Sequence, residues 1–308
     1  MTDEMKATGE RLVPDVQHGE LVHAEHLARY LVAARLAPGR RVLDVACGEG
    51  YGTEMLVRGG AQTATGVDLD EPTVERARER YSAEFHQADI AALSFDDDSF
   101  ELVVSFETIE HVPDADAALS ELGRVLAPGG LLLISTPNTH EYLVDNEFHA
   151  REFSHEEFAA LLGERFPSVR LLYQHNWLLS AVVGEESLRE GSGVAPLGIE
   201  VRKTVGLEPG KELYTLALCG EDTDVAVDQI AVAAGTDEAH SLAQRLGAAE
   251  DTARLWHDEY KKAETTAKMW HGIAESNMAV ARWMRGSLSW RITKPLRLPA
   301  KLREWRGR

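Results

Sequence analysis

Arg41-Val-Leu-Asp-Val-Ala-Cys-Gly-Glu-Gly-Tyr-Gly-Thr53 passes from a short apolar run into three alternating glycines and then into helix-forming sequence. Val42, Leu43 and Val45 are β-formers in a run of strand length. Gly48, Gly50 and Gly52 remove three Cβ atoms where the chain must turn tightly and where a ligand can touch backbone. The stretch predicts a strand over 41–46, a ligand-receiving turn, and a first crossover helix over 52–58 closed by Gly59-Gly60.

The sequence after this corner keeps alternating. Thr63 to Val67 reads as a second strand, followed by a helix from Pro72 to Arg80, and Phe85 to Ala88 as a third strand. Asp96-Asp-Asp-Ser99 is a turn, and Phe100-Glu-Leu-Val-Val-Ser-Phe106 is apolar enough for a strand buried on both faces. A helix over 114–126 stops at Pro128-Gly-Gly130, and Leu131 to Ser135 forms the next strand. Strand–helix alternation of this kind predicts an α/β fold: a Rossmann-like, doubly wound, mostly parallel sheet with its ligand beyond the carboxyl ends of the strands. Around it, residues 1–20 read as an irregular lead-in and Leu21 to Leu36 as a helix. Residues 156–162 read as a helix, 169–173 and 213–219 as a hairpin-like edge, 184–210 as a glycine-rich excursion and 221–235 as a linker.

Three acids define what the corner receives. Dinucleotide sites usually space their glycines GxGxxG, whereas here Gly48-x-Gly50-x-Gly52 follows Asp44. A carboxylate so placed repels pyrophosphate and favours an ammonium or sulfonium group. Asp68, 24 residues after Asp44 and at the end of the second strand, has the position of an acid that accepts from both ribose hydroxyls. Asp89, after the third strand, is placed to meet an adenine amine.

Composition sets the limits. The chain has 308 residues, 44% hydrophobic and 27% charged, enough for one α/β domain with a smaller appendage. No apolar run nears the roughly 18 residues of a membrane span, and the acidic start does not resemble a signal peptide, so a cytoplasmic protein is expected. Cys47 and Cys219 form no metal-ligand spacing and read as free thiols. Residues 282–308 hold nine Lys or Arg against Glu304, a local +8; taking that from the net −19 leaves −27 on the rest. Such an acidic body excludes a nucleic-acid phosphate backbone as partner.

From Leu242 to Met284 small and apolar residues recur at alternating steps of four and three, through Trp256, Tyr260, Trp270 and Asn277, with no proline. This spacing predicts a long helix: a heptad seam for a homo-oligomeric coiled coil, or an amphipathic helix laid on the domain. The tail after it interleaves Leu288, Trp290, Ile292, Leu296 and Trp305 with basic residues. It suits an anionic membrane surface or an acidic partner, or is a solubilising end.

Val42-Leu-Asp-Val-Ala-Cys-Gly-Glu-Gly-Tyr-Gly52, Gly66-Val-Asp-Leu-Asp70, Ala88-Asp-Ile90, Phe100 to His111 and Arg124-Val-Leu-Ala-Pro-Gly-Gly130 together resemble the class I S-adenosylmethionine-dependent methyltransferases, over residues 9 to 220. The resemblance implies a seven-stranded sheet with an antiparallel last strand, and S-adenosylmethionine as cofactor. It implies Asp44 and the Gly48–Gly52 backbone around the methionine moiety, Asp68 with Leu69 at the ribose, Asp89 and Ile90 at adenine, and Phe106-Glu107 near the sulfonium. Arg11, His26, Arg29 and Tyr30 either fold over the cofactor as a lid or belong to a helix that only packs on the sheet.

A narrower resemblance rests on Gly9-Glu-Arg-Leu-Val-Pro14, Glu25 to Tyr30, Phe106 to His111, Ser135-Thr-Pro-Asn138, Asn146 to Glu152 and the tail around Ser287 to Arg297. These look like a bacterial subgroup associated with glycan assembly, although Asn146-Glu147 stands where that subgroup has asparagine-proline. The implied acceptor is a sugar-containing or other small molecule, and the tail implies contact with a membrane or a glycosyltransferase. A sugar hydroxyl needs a base to take its proton. His111 and His149 are the candidates, ahead of His140, since both follow strand ends in motif settings. Asp96 to Asp98 read as a solvated turn, so no metal is expected.

Overall fold

A computed structural model describes residues 20–142, 148–177, 179–185, 201–234 and 237–286. Arg11, the tail 287–308 and Asn146-Glu147 lie outside them. The chain divides into two compact units, Met1–Gly235 and Thr236–Arg308.

The first unit runs α1 (Leu21–Leu36), β1 (Arg41–Val45), α2 (Tyr51–Arg58), β2 (Thr63–Asp68), α3 (Glu71–Arg80), β3 (Glu84–Gln87), β4 (Phe100–Ser105), a 3-10 turn (Ile109–His111), α4 (Ala115–Val125), β5 (Leu126–Pro137), α5 (His155–Gly163), β6 (Ser168–Gln174) and β7 (Tyr214–Gly220). Its sheet has the order β3-β2-β1-β4-β5-β7-β6. Pairs among β1 to β5 are parallel, while β7 is antiparallel to both neighbours. Strand order reverses between β1 and β4, which opens a crevice beyond their carboxyl ends.

Cover on both faces explains why the middles of β1 and β4 are built from Val42, Leu43, Leu102, Val103 and Val104. Leu43, Val45 and Val103 pack into a core with Leu119, Leu122 and Phe158. Val42, Leu102 and Val104 pack on the other face with Tyr30, Ala33 and Leu56. Asp44 has the parity of Val42 and so lies on the face covered by α1 and α2, buried to 1% exposure.

One reading is met and another needs correction. The expected pairing of 169–173 with 213–219 is met: β6 and β7 run antiparallel at one end of the sheet, with β7, buried throughout, between β5 and the rim strand β6. An unbroken apolar run such as Leu216-Ala-Leu-Cys219 suits an interior strand. Pro128-Gly-Gly130 does not end the segment before β5. It bulges out of the strand, so that β4's step from Phe100 to Leu102 is matched by a step from Leu126 to Leu131, with Gly129 at φ 72°. The start of the expected linker also packs onto the sheet: Thr223 is buried, and Arg170 donates to the carbonyls of Thr223 and Val225.

The described residues of the second unit form one helix, α6 (Asp237–Gly286), 50 residues long. Trp256, Tyr260, Trp270 and Met284 of the heptad spacing are exposed, at 73%, 68%, 61% and 49%. No helix among the described residues is long and apolar enough to cross a membrane.

Candidate active site

The corner is built around two carboxylates. Asp44 accepts from the Tyr30 hydroxyl at 3.1 and 3.3 Å and from Thr53 Oγ1 at 2.7 Å. Burial pushes its pKa up to about 7, against the pull of those two donors. Burial, then the Asp44 charge, holds the Tyr30 hydroxyl well above its usual range, so it remains a donor. Asp68 accepts from the Gly48 amide at 2.9 Å and from the Asp70 amide at 3.0 Å, and so fixes the first glycine against the end of β2. An ionised carboxylate offers about four acceptor directions, so holding two amides is compatible with taking hydroxyls as well.

The glycines serve a different purpose from the one their spacing suggested. A Cβ on Gly50 would stand 2.7 Å from the Phe85 ring, and one on Gly52 only 2.0 Å from the Tyr30 ring. These two glycines admit protein side chains, and Gly50 also needs its φ of 80°. Gly48, at φ 54°, is the one tied to Asp68. α1 thus seats Tyr30 directly on the corner, as a lid would require. His26 meets the Tyr51 hydroxyl at 3.0 Å, and burial, then Arg29, holds its pKa well below the usual range.

The remaining expected cofactor residues separate by environment. Leu69 is 67% exposed just past β2, an apolar surface beside the corner. Asp89 is exposed and accepts from the Ala91 amide at 2.9 Å. The Ile90 side chain belongs instead to the core with Val67 and Leu93, so any adenine contact from it would come from backbone. Phe106 meets the Tyr30 ring edge-on at 5.1 Å.

At the carboxyl ends of β1 and β4 the backbone is strained: Ala46 and Glu107 have φ of 60° and 48°. Glu107 is held by Ser135, whose hydroxyl donates at 2.6 Å and accepts from the Glu107 amide at 3.2 Å, and Arg29 stands 3.9 Å away. Arg29 is 2% exposed, covers the Tyr214 ring and donates to Gln174 at 2.9 Å. Burial raises the pKa of Glu107, opposed chiefly by Arg29.

The two candidate histidines come together. Their rings lie 4.8 Å apart at 74°. The Ala150 and Arg151 amides donate to the Glu110 carbonyl at 2.8 and 3.1 Å, which folds the loop carrying His149 onto the turn carrying His111. His111 Nδ1 lies 3.2 Å from the Phe148 carbonyl. A carbonyl only accepts, so Nδ1 carries the proton and Nε2 keeps the basic lone pair. His149 Nδ1 lies 3.6 Å from Glu152. Glu110, 1% exposed, accepts from Thr136 Oγ1 at 3.1 Å; burial, then Glu107, raises its pKa well above the usual range. Pro137, Thr139 and Tyr142 complete a small cleft with Glu110 and His149. His140 lies outside this group; its amide meets Asn138.

Ser135 and Thr136 hold the two carboxylates of the candidate site, a part the sequence reading did not assign to them. The signal was present in Ser135-Thr-Pro-Asn138: hydroxyls at the end of an apolar strand must find acceptors, here Glu107 and Glu110. Asn138 Nδ2 donates to the Gly210 and Glu212 carbonyls, pinning the loop's start to the approach to β7.

A reversed-order parallel sheet, an acid under the glycines, a second acid at the end of β2 and a histidine pair past β4 are the features by which this chain resembles the class I S-adenosylmethionine-dependent methyltransferases. Residues 43–134 match the family described as a methyltransferase domain. The chain is 38% identical over 161 residues to a Mycolicibacterium smegmatis protein named "Probable S-adenosylmethionine-dependent methyltransferase", covering 50% of this chain and 62% of that one. It is 38% identical over 161 residues to a Mycobacterium tuberculosis protein of the same description, covering 50% and 58%. It is 42% identical over 114 residues to the ubiquinone biosynthesis O-methyltransferase of Xanthomonas campestris, covering 35% and 47%. The chain therefore spans about three fifths or less of the curated relatives it matches. Over residues 43–134 the chain is thus similar to a methyltransferase domain, and its two mycobacterial relatives are described as S-adenosylmethionine-dependent.

Proposed function

We propose that this chain is an S-adenosylmethionine-dependent O-methyltransferase acting on a sugar hydroxyl of a bacterial glycan or glycosylated metabolite. The observation that carries the O-methyl assignment is the His111 geometry: its Nδ1 is committed to the Phe148 carbonyl, which leaves Nε2 to take a hydroxyl proton beside a buried carboxylate. Nitrogen and thiolate nucleophiles have less need of such a base.

The residues present suit the cofactor. Asp68 is held by two amides with its carboxylate at the end of β2, Asp44 supplies a carboxylate beneath the turn, and Leu69 offers an exposed apolar surface between Asp68 and Asp70. When bound, S-adenosylmethionine supplies a methyl group activated on sulfur. The chain's own tasks are alignment of the acceptor oxygen, exclusion of water by α1, and removal of the proton to His111 Nε2. Ser135 and Arg29 hold Glu107 between the two halves of the site.

The sugar class rests on the resemblance of Phe106 to His111, Ser135 to Asn138 and the basic tail to glycan-assembly proteins. The exposed seam of α6 supports self-association, and the tail suits recruitment to an anionic surface or to a glycosyltransferase. A second reading, methylation of a small lipid or natural-product hydroxyl, draws on the quinone O-methyltransferase relative. Incubation with methyl-labelled cofactor and separated cell glycans or lipids tests both: label in a sugar methyl ether supports the first, and label in the lipid fraction alone overturns it for the second.

A further inference from the structure

Glu110, His111 and His149 each present one ligand-type atom, and the three atoms lie within 4.8 Å of one another. We propose that these three side chains bind a divalent transition-metal cation on the acceptor side of the site. The inference deepens the O-methyltransferase reading and rests on it for what the cation would do.

Three observations carry it. The donor set is two imidazoles and one carboxylate, the composition of open zinc sites and of sites for manganese or iron. Glu110 Oε1 is buried and has no hydrogen-bond partner among the described residues, while Oε2 is taken by Thr136. An orphaned buried carboxylate oxygen costs on the order of 1–3 kcal/mol or more, which a cation would relieve. His111 is oriented as a metal-ligating histidine is, with Nδ1 on a backbone carbonyl and Nε2 directed elsewhere.

Metal–nitrogen bonds of about 2.0–2.1 Å leave ligand atoms roughly 3.3 Å apart, so the group must draw in from 4.8 Å. Rotation of the half-buried His111 ring toward the buried His149 ring supplies that movement. Three protein ligands leave at least one position for an acceptor oxygen. A metal-bound hydroxyl loses its proton more readily, so the cation replaces His111 Nε2 in activating the acceptor, and the proton passes to solvent. This departs from the sequence-based expectation of a metal-free chain, which weighed Asp96 to Asp98 and had no reason to join His149 to a turn 38 residues earlier.

The test is calorimetric titration of the chelator-stripped full chain with zinc or manganese chloride, followed by S-adenosylmethionine. Binding of one cation is expected, weakened at least about a hundredfold in H149A and in E110Q, with cofactor affinity unchanged within about twofold in H149A. The loop variant H149A, at a position outside every strand and helix, guards against misfolding of E110Q. Absence of cation binding, or undiminished binding in H149A and in H111A, overturns the proposal. Cation binding lost in H149A, in a chain that does not bind the cofactor, supports this site while overturning the methyltransferase reading.

Discussion

The Tyr30 hydroxyl donates to the Asp44 carboxylate beneath the glycine corner, 3.1 Å from Oδ1. Tyr30 belongs to α1 and Asp44 to β1, so this bond ties the covering helix to the floor of the cofactor site. Its two partners are 5% and 1% exposed, which keeps the Asp44 charge nearly unsolvated.

That burial makes cofactor binding depend on pH. With its pKa raised to about 7, Asp44 holds a proton in the native state that the unfolded chain has released above about pH 4. Stability therefore falls as pH rises across that window, by up to about 4 kcal/mol, and levels off above pH 7. A bound cationic ligand favours the ionised form, so binding below pH 7 releases the proton. Cofactor affinity should rise by up to about tenfold per pH unit toward pH 7 and then flatten. Titrations between pH 5.5 and 8 check this, and D44N should abolish the slope.

Gly52 accepts no side chain. A methyl there would overlap the Tyr30 ring, and overpacking of this kind costs about 1–3 kcal/mol. G52A should lower the unfolding midpoint in urea and weaken cofactor binding, and in a Y30A background, where the ring is gone, G52A should cost much less stability than it does in the wild type.

Much of this was legible in sequence. The succession of strands and helices along the chain, the ends of α1 at Leu21 and Leu36, and Asp68 at the end of β2 followed from apolar runs and punctuating glycines and prolines. The position of β7 did not, because a pattern of buried residues does not say which neighbours bury them. The purpose of Gly50 and Gly52 was hidden for a similar reason: Phe85 and Tyr30 are distant in sequence, and a glycine that admits a ring looks like one that admits a ligand. His149 was noticed as a residue, but its partnership with His111 depends on two amides bonding to the Glu110 carbonyl.

Proton removal should separate from cofactor binding. H111A should reduce turnover by about 10²–10⁴-fold while leaving S-adenosylmethionine affinity within about twofold. S135A, which releases Glu107, should also lower turnover, and S135T should restore part of it. Steady-state kinetics with calorimetry on each variant measures both quantities.

The apolar seam of α6 predicts self-association of the full chain. Sedimentation equilibrium should give a discrete oligomer at micromolar concentration, and W270E, which puts a charge at a seam position, should shift it toward monomer. A monomer at all concentrations contradicts the heptad reading.

The claim that organises all of these is that the corner formed by Asp44, Gly48 and Asp68 receives S-adenosylmethionine. Calorimetric titration of the cofactor into the wild-type chain and into D68A tests it most directly: one saturable site is predicted in the wild type, weakened at least about tenfold in D68A, whereas no binding, or equal binding in both, would contradict it.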